Sequence, residues 1–152
     1  MLSKKTKYAI KALMVLGRNV EATPMPILMI AQAENIPKKF LEQILLELRN
    51  AGILFSIKGA KGGYILNKPL SEIYLTQIIR LIDGPIALLP CVSLNFYRKC
   101  DECISEEVCG IRDTFVDVRD AMLEIFNKTS IADLVQREAD DLKRIQQNQD
   151  RK

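Results

Sequence analysis

One stretch limits the folds open to this chain more than any other: residues 34–66, ENIPKKFLEQILLELRNAGILFSIKGAKGGYIL. It reads as a helix, a tight stop, a strand, a basic glycine loop and a second strand. Proline lacks the N–H that a first-turn residue leaves unpaired, so Pro37 opens the helix. Phe40, Leu41, Ile44, Leu45 and Leu48 recur at three- and four-residue steps and make one apolar face. Lys38, Lys39, Glu42, Gln43 and Arg49 fall on the other face. Gly52 stands where a helix C-terminus favours a left-handed residue. Ile53–Ile57 and Tyr64–Leu66 suit short strands. The loop between them carries Lys58, Gly59, Lys61, Gly62 and Gly63.

Upstream, Ser3 or Thr6 caps a first helix through about Arg18, with Ala9, Ala12, Leu13 and Leu16 as its buried stripe. Pro24 and Pro26 interrupt the chain, and Ile27–Ala33 forms a short second helix. The brief ENIP turn joins it to the helix at Pro37, the arrangement of a helix-turn-helix. The expected fold is therefore mainly α with a small β-wing: a winged helix-turn-helix over residues 1–84. Ile73–Leu75 is expected to add a third short strand. Thr76 is expected to cap a helix ending at Asp83-Gly84-Pro85.

Residues 85–107 read as an irregular loop holding three of the four cysteines. A long helix follows from about Glu107. Val108, Ile111, Phe115, Val118, Met122 and Ile125 step along it in a seam one helix wide, extended by Phe126. Such a seam packs against the chain's own core or against a second copy. Residues 108–145 are taken as this helix and a short amphipathic piece around Ile131, Leu134 and Val135. The polar residues 146–152 are expected to fray.

Charge divides the chain of 152 residues. Residues 1–70 hold eleven Lys/Arg against four Asp/Glu, a balance of +7, and residues 71–152 hold eleven against fifteen, a balance of −4. A basic half joined to an acidic half suits a polyanion-binding module attached to something else. The chain has no histidine, which removes Ser-His-Asp and Cys-His catalysis and histidine metal ligands, so no enzyme is expected. KGAKGG also lacks the GKS/T ending of a phosphate loop. No apolar run is long enough for a bilayer and no signal peptide is apparent, so the expected location is the cytoplasm, with reduced thiols.

Affinity for double-stranded DNA comes mainly from neutralised phosphates, and specificity from base edges and shape. The first turns of the helix after Pro37 would present Lys38, Lys39, Glu42 and Gln43 to a major groove. Gln43 suits adenine, Glu42 suits cytosine N4, and either lysine suits guanine or phosphate. At the wing, Lys58 and Lys61 would meet a narrow minor groove, with Gly59, Gly62 and Gly63 allowing close approach.

Cys91, Cys100, Cys103 and Cys109 lie within nineteen residues as C-x8-C-x2-C-x5-C. Clustered thiolates at short spacing suit an iron–sulfur cluster or zinc. A thiol–disulfide switch and four idle thiols remain open beside them.

Four segments, KYAIKAL, IPKKFLEQIL, GAKGGY and IIRLIDGPI, together strongly resemble the bacterial winged-helix regulators that include IscR, NsrR and CymR. The resemblance spans roughly residues 1–135. It implies a homodimer, paired through a helix at about 107–127, that binds palindromic operators. It further implies Glu42 and Gln43 at the major groove and Lys58 at the minor groove, where some members carry arginine. Members with a cluster hold three cysteines with five residues in each gap. Cys103 and Cys109 match the second gap, Cys91 takes the first place, and Cys100 is additional. Arg112 stands where some members have a histidine ligand, which makes Cys100 the candidate for the fourth position. A transcription repressor with a 2Fe-2S cluster is what the resemblance implies. A zinc-bearing or metal-free regulator controlled by thiol oxidation or a partner protein is the alternative. A small metal-carrier or electron-transfer protein is the alternative from another class.

Overall fold

The computed structural model describes residues 2–19, 23–59 and 61–149. Ala60 of the wing loop and residues 150–152 of the tail lie outside them. Helix α1 (Lys4–Gly17) starts where Ser3 accepts the Thr6 N–H, and it buries Ala9, Ala12, Leu13 and Leu16 as the periodicity predicts. It is the central helix. Helices α2 (Ile27–Ala33), α3 (Lys38–Asn50), α4 (Leu75–Ile82) and α6 (Ile131–Gln149) all pack on it. Leu41, Ile44, Leu45 and Leu48 of α3 are fully buried, joined by Ile30, Leu54, Ile73, Ile78 and Ile131.

Both helices of the helix-turn-helix end in the same way. At the end of α3 the Gly52 N–H donates to Arg49 O and the Ile53 N–H to Leu48 O, both at 2.9 Å, with Gly52 at φ 72°. At the end of α2 the Asn35 N–H donates to Gln32 O and the Ile36 N–H to Ala31 O, with Asn35 at φ 51°. Each is a Schellman stop, and each drops a buried isoleucine into the core just past it. Pro37 caps α3 from outside rather than opening it, since helical geometry begins at Lys38.

Strands β1 (Leu54–Ile57) and β2 (Gly63–Leu66) pair antiparallel, with Leu54 opposite Leu66 and Ile57 opposite Gly63. Met25 adds an isolated bridge to Tyr64, with mutual backbone bonds of 3.0 and 2.9 Å. A Cβ on Gly63 would lie 2.4 Å from the Met25 backbone, so this approach requires glycine.

Four expectations need correction. Residues 73–75 are not a strand of this sheet. Tyr74 instead bridges Ser130, because the Leu75 N–H donates to Thr129 O and the Ile131 N–H to Ile73 O. Thr76 is not a cap but lies buried inside α4, its hydroxyl donating to Asn127 Oδ1 at 2.7 Å. The long helix α5 spans Gly110–Lys128, preceded by a 3-10 turn at Glu106–Val108. The last helix is long rather than short. Ser130 and Asp133 cap each other's backbone N–H, and good helix formers carry α6 to Gln149, through the first residues expected to fray.

Candidate nucleic-acid interface and cysteine cleft

Burying Leu41, Ile44, Leu45 and Leu48 fixes which side of α3 meets water. Lys38, Lys39, Glu42 and Gln43 are all exposed together, and Lys38 Nζ lies 3.8 Å from Glu42. Lys58, Gly59 and Lys61 are exposed on the wing, while Gly62 and Gly63 are half-buried at the base of β2. The helix face and the wing therefore leave their polar groups open. Glu34, in the turn between α2 and α3, is bonded by Lys11 at 2.7 Å and Arg18 at 3.1 Å. Arg18 also reaches Glu138 of α6, which ties the helix-turn-helix to the C-terminal helix.

All four cysteines line one cleft of about 510 Å³, together with Arg98, Lys99 and Arg112. Cys91 is buried in a 3-10 turn, Pro90–Val92, and the other three are half-buried. Cys109 caps α5, its sulfur accepting the Arg112 backbone N–H at 3.5 Å. That bond, with Cys103 beside it, holds the Cys109 thiol below its ordinary pKa. Cys103 Sγ lies 3.7 Å from Cys109 Sγ. Hydrogen bonding of the Cys103 thiol with Cys100 and Cys109 pushes it up to about 12, since those bonds favour the protonated form, with burial and the neighbours' charge adding to the effect.

The donor set fits a thiolate-held group in kind, four thiols lining one cleft. Arg112 Nε is buried with no hydrogen-bond partner and has only a long ion pair to Glu106 Oε2 at 3.8 Å, so it keeps donor capacity for an anionic group in the cleft. Among the described residues, however, no three His, Cys, Asp or Glu side chains converge on one single-ion position.

Sequence reasoning singles out Arg112 by its place after Cys109 and does not reveal Arg119. Arg112 lines the cleft, and Arg119 Nη1 donates to Val92 O at 2.6 Å, fastening the Cys91 turn to α5. The place of Arg119 two helical turns beyond Arg112, on the same face, is the signal for it.

A family model for Rrf2, described as an iron-dependent transcriptional regulator, matches residues 2–137. The chain belongs to the Rrf2 family. It is 41% identical over 138 residues to an rrf2-like HTH-type transcriptional regulator of Rhodobacter capsulatus, covering 89% of this chain and 92% of that one. It is 32% identical over 133 residues to the regulator CymR of Bacillus subtilis, covering 88% of each. The structure of CymR, the global cysteine regulator of B. subtilis, superposes with a TM-score of 0.75 at 30% identity, over 90% of this chain and 96% of that one. IscR of T. potens superposes with a TM-score of 0.70 at 25% identity, over 91% and 88%. The winged-helix fold and the role of Rrf2-family transcription regulator follow. No described helix is long and apolar enough to cross a membrane.

Proposed function

We propose that this Rrf2-family chain acts in the cytoplasm as a homodimeric repressor whose cysteine cleft holds an iron–sulfur cluster, of the 2Fe-2S type. Residues 1–84 bind operator DNA, residues 85–107 sense, and residues 108–145 pair two copies and pack the C-terminal helix. No catalytic step is assigned. The observation that carries the reading is the meeting of Cys91, Cys100, Cys103 and Cys109 in one cleft at the capped start of α5. The uncovered apolar side of α5 supports pairing: Ile111 and Ile125 are 65% and 61% exposed and, with Val118, recur every seven residues.

In the mechanism, Lys38, Lys39, Glu42 and Gln43 enter the major groove of a half-site. Lys58 and Lys61 approach the backbone or minor groove, where Gly59, Gly62 and Gly63 keep the wing thin. Cys91, Cys103 and Cys109 would hold the cluster, with Cys100 as fourth ligand, and Arg112 lines the same cleft. The cluster supplies sensitivity to iron, oxygen or other oxidants when bound. Arg119 couples the Cys91 turn to α5, so reordering residues 91–109 alters α5 and the spacing of the two α3 helices. Binding to paired half-sites changes with that spacing.

The decisive experiment is a visible spectrum of anaerobically purified protein, with iron, sulfide and zinc assays on one sample. The expected result is iron and sulfide, both lost in Cys103→Ser and Cys109→Ser. Operator DNA is then selected from a random duplex pool and titrated with loaded and metal-free protein at matched salt. Equal affinities would end the switching mechanism. Lys58→Ala is expected to weaken binding across sequences and lower the salt slope by about one, whereas Gln43→Ala relaxes base preference.

A metal-free regulator is the second reading. Four free thiols lining an open cleft support it. Protein that stays colourless and metal-free after reconstitution would establish this second reading in place of the cluster.

A further inference from the structure

We propose that Cys103 and Cys109 are an oxidative modification site, closing into an intrachain disulfide when the thiols carry no metal. Cys103 neighbours both Cys100 and Cys109, and Cys109 is the partner held in place at the start of α5. The Cys103 and Cys109 sulfurs stand 3.7 Å apart, and both side chains are half-buried at the rim of an open cleft. Cys91 is buried in its own turn, and the Arg119 bond to Val92 O holds that turn on α5. A disulfide needs the sulfurs at about 2.05 Å, an approach of roughly 1.7 Å.

The two ends of the pair are held very differently. Cys109 is fixed at the start of α5 by its bond from the Arg112 N–H, and its carbonyl accepts from the Asp113 N–H at 3.1 Å. Among the described residues, no backbone hydrogen bond ties residues 101–104 to another element, and Ile104 is wholly exposed. The turn carrying Cys103 therefore makes the movement, and α5 keeps its helix. The closed ring spans only residues 103–109, a short loop with little closure entropy to lose.

With a hydroperoxide as oxidant the chemistry balances. One sulfur attacks the peroxide, the O–O bond breaks, and water or an alcohol leaves. The second sulfur attacks the resulting sulfenic acid, an S–S bond forms, and water leaves. Two thiols lose two electrons and two protons, and one peroxide is reduced. A bound cluster would occupy both sulfurs, so the reaction belongs to the metal-free chain, whichever group the thiols hold when loaded.

The test treats the full chain, reduced and freed of metal with a chelator, with one equivalent of hydrogen peroxide. Free thiols are then blocked with N-ethylmaleimide, and the blocked positions are mapped by mass spectrometry. The expected product is monomeric on a non-reducing gel and carries two N-ethylmaleimide groups, on Cys91 and Cys100, with the Cys103–Cys109 pair unblocked and two hydrogens short of the free thiols. Cys100→Ser retains this product, and Cys103→Ser and Cys109→Ser each abolish it. A Cys100–Cys103 disulfide would overturn the proposal, as would a disulfide between chains. So would four thiols still free after a tenfold excess, or over-oxidation without a cross-link.

Discussion

Two residues at left-handed backbone positions set the geometry of the helix-turn-helix, and they are chemically unlike. Gly52 occupies its position without strain, whereas Asn35 occupies the matching one with a Cβ. Gly52→Ala is therefore expected to destabilise the fold by about 1–2 kcal/mol, the cost of a Cβ in left-handed geometry. Asn35→Gly should leave stability within about 0.5 kcal/mol, because asparagine already tolerates the conformation. Urea denaturation followed by circular dichroism compares the midpoints, and equal losses in both variants would contradict this account. Gly52 was legible in the sequence because glycine after an amphipathic run marks a stop. Asn35 was not, because ENIP reads as any polar turn. Met25 was hidden for another reason: its bridge to Tyr64 depends on the absent side chain of Gly63, thirty-eight residues away.

Helix α5 was legible as a seam but not in its ends. Apolar residues at three- and four-residue steps mark its face whatever covers it. Its start depends on a thiol cap and a 3-10 turn, which leave little trace in composition. The length of α6 was harder to read, since its last turns are exposed and only Leu142 and Ile145 there are large and apolar, so capping at Ser130 and intrinsic propensity carry the helix. The seam makes its own prediction. Ile125→Asp places a charge on an exposed position of α5, so the monomer fold is expected to survive with an unchanged far-ultraviolet spectrum. Sedimentation should shift from dimer to monomer, because a buried unpaired carboxylate at a paired seam costs several kcal/mol. A variant that still sediments as a dimer would move the pairing surface elsewhere.

Across the whole molecule, Glu34 gathers α1, the α2–α3 turn and, through Arg18, α6. Burial raises its pKa, but bonds from Lys11 and Arg18 outweigh that and hold it below the ordinary carboxylate value. A carboxylate depressed in the folded state stabilises it above the unfolded pKa of about 4.3 and loses that contribution as pH falls through the folded value. Glu34→Gln should therefore lower stability near neutral pH and flatten the decline of the melting temperature below pH 5. A parallel acid limb in both proteins would assign that decline to other carboxylates, such as Asp83 and Asp133, which are also depressed. The charge division between the two halves was visible in the sequence, whereas this cross-chain network was not, because its partners lie up to 120 residues apart.

The Tyr74–Ser130 bridge bears on mechanics. It fastens the far end of α5 to the base of α4, while the near end rests on the Cys109 cap. Nineteen residues of helix make a strut of about 28 Å between these two supports. A rigid bar pinned at one end swings rather than slides. A displacement of one or two ångströms at the thiol end therefore becomes a tilt of a few degrees, pivoting beside the helix that leads back to the wing.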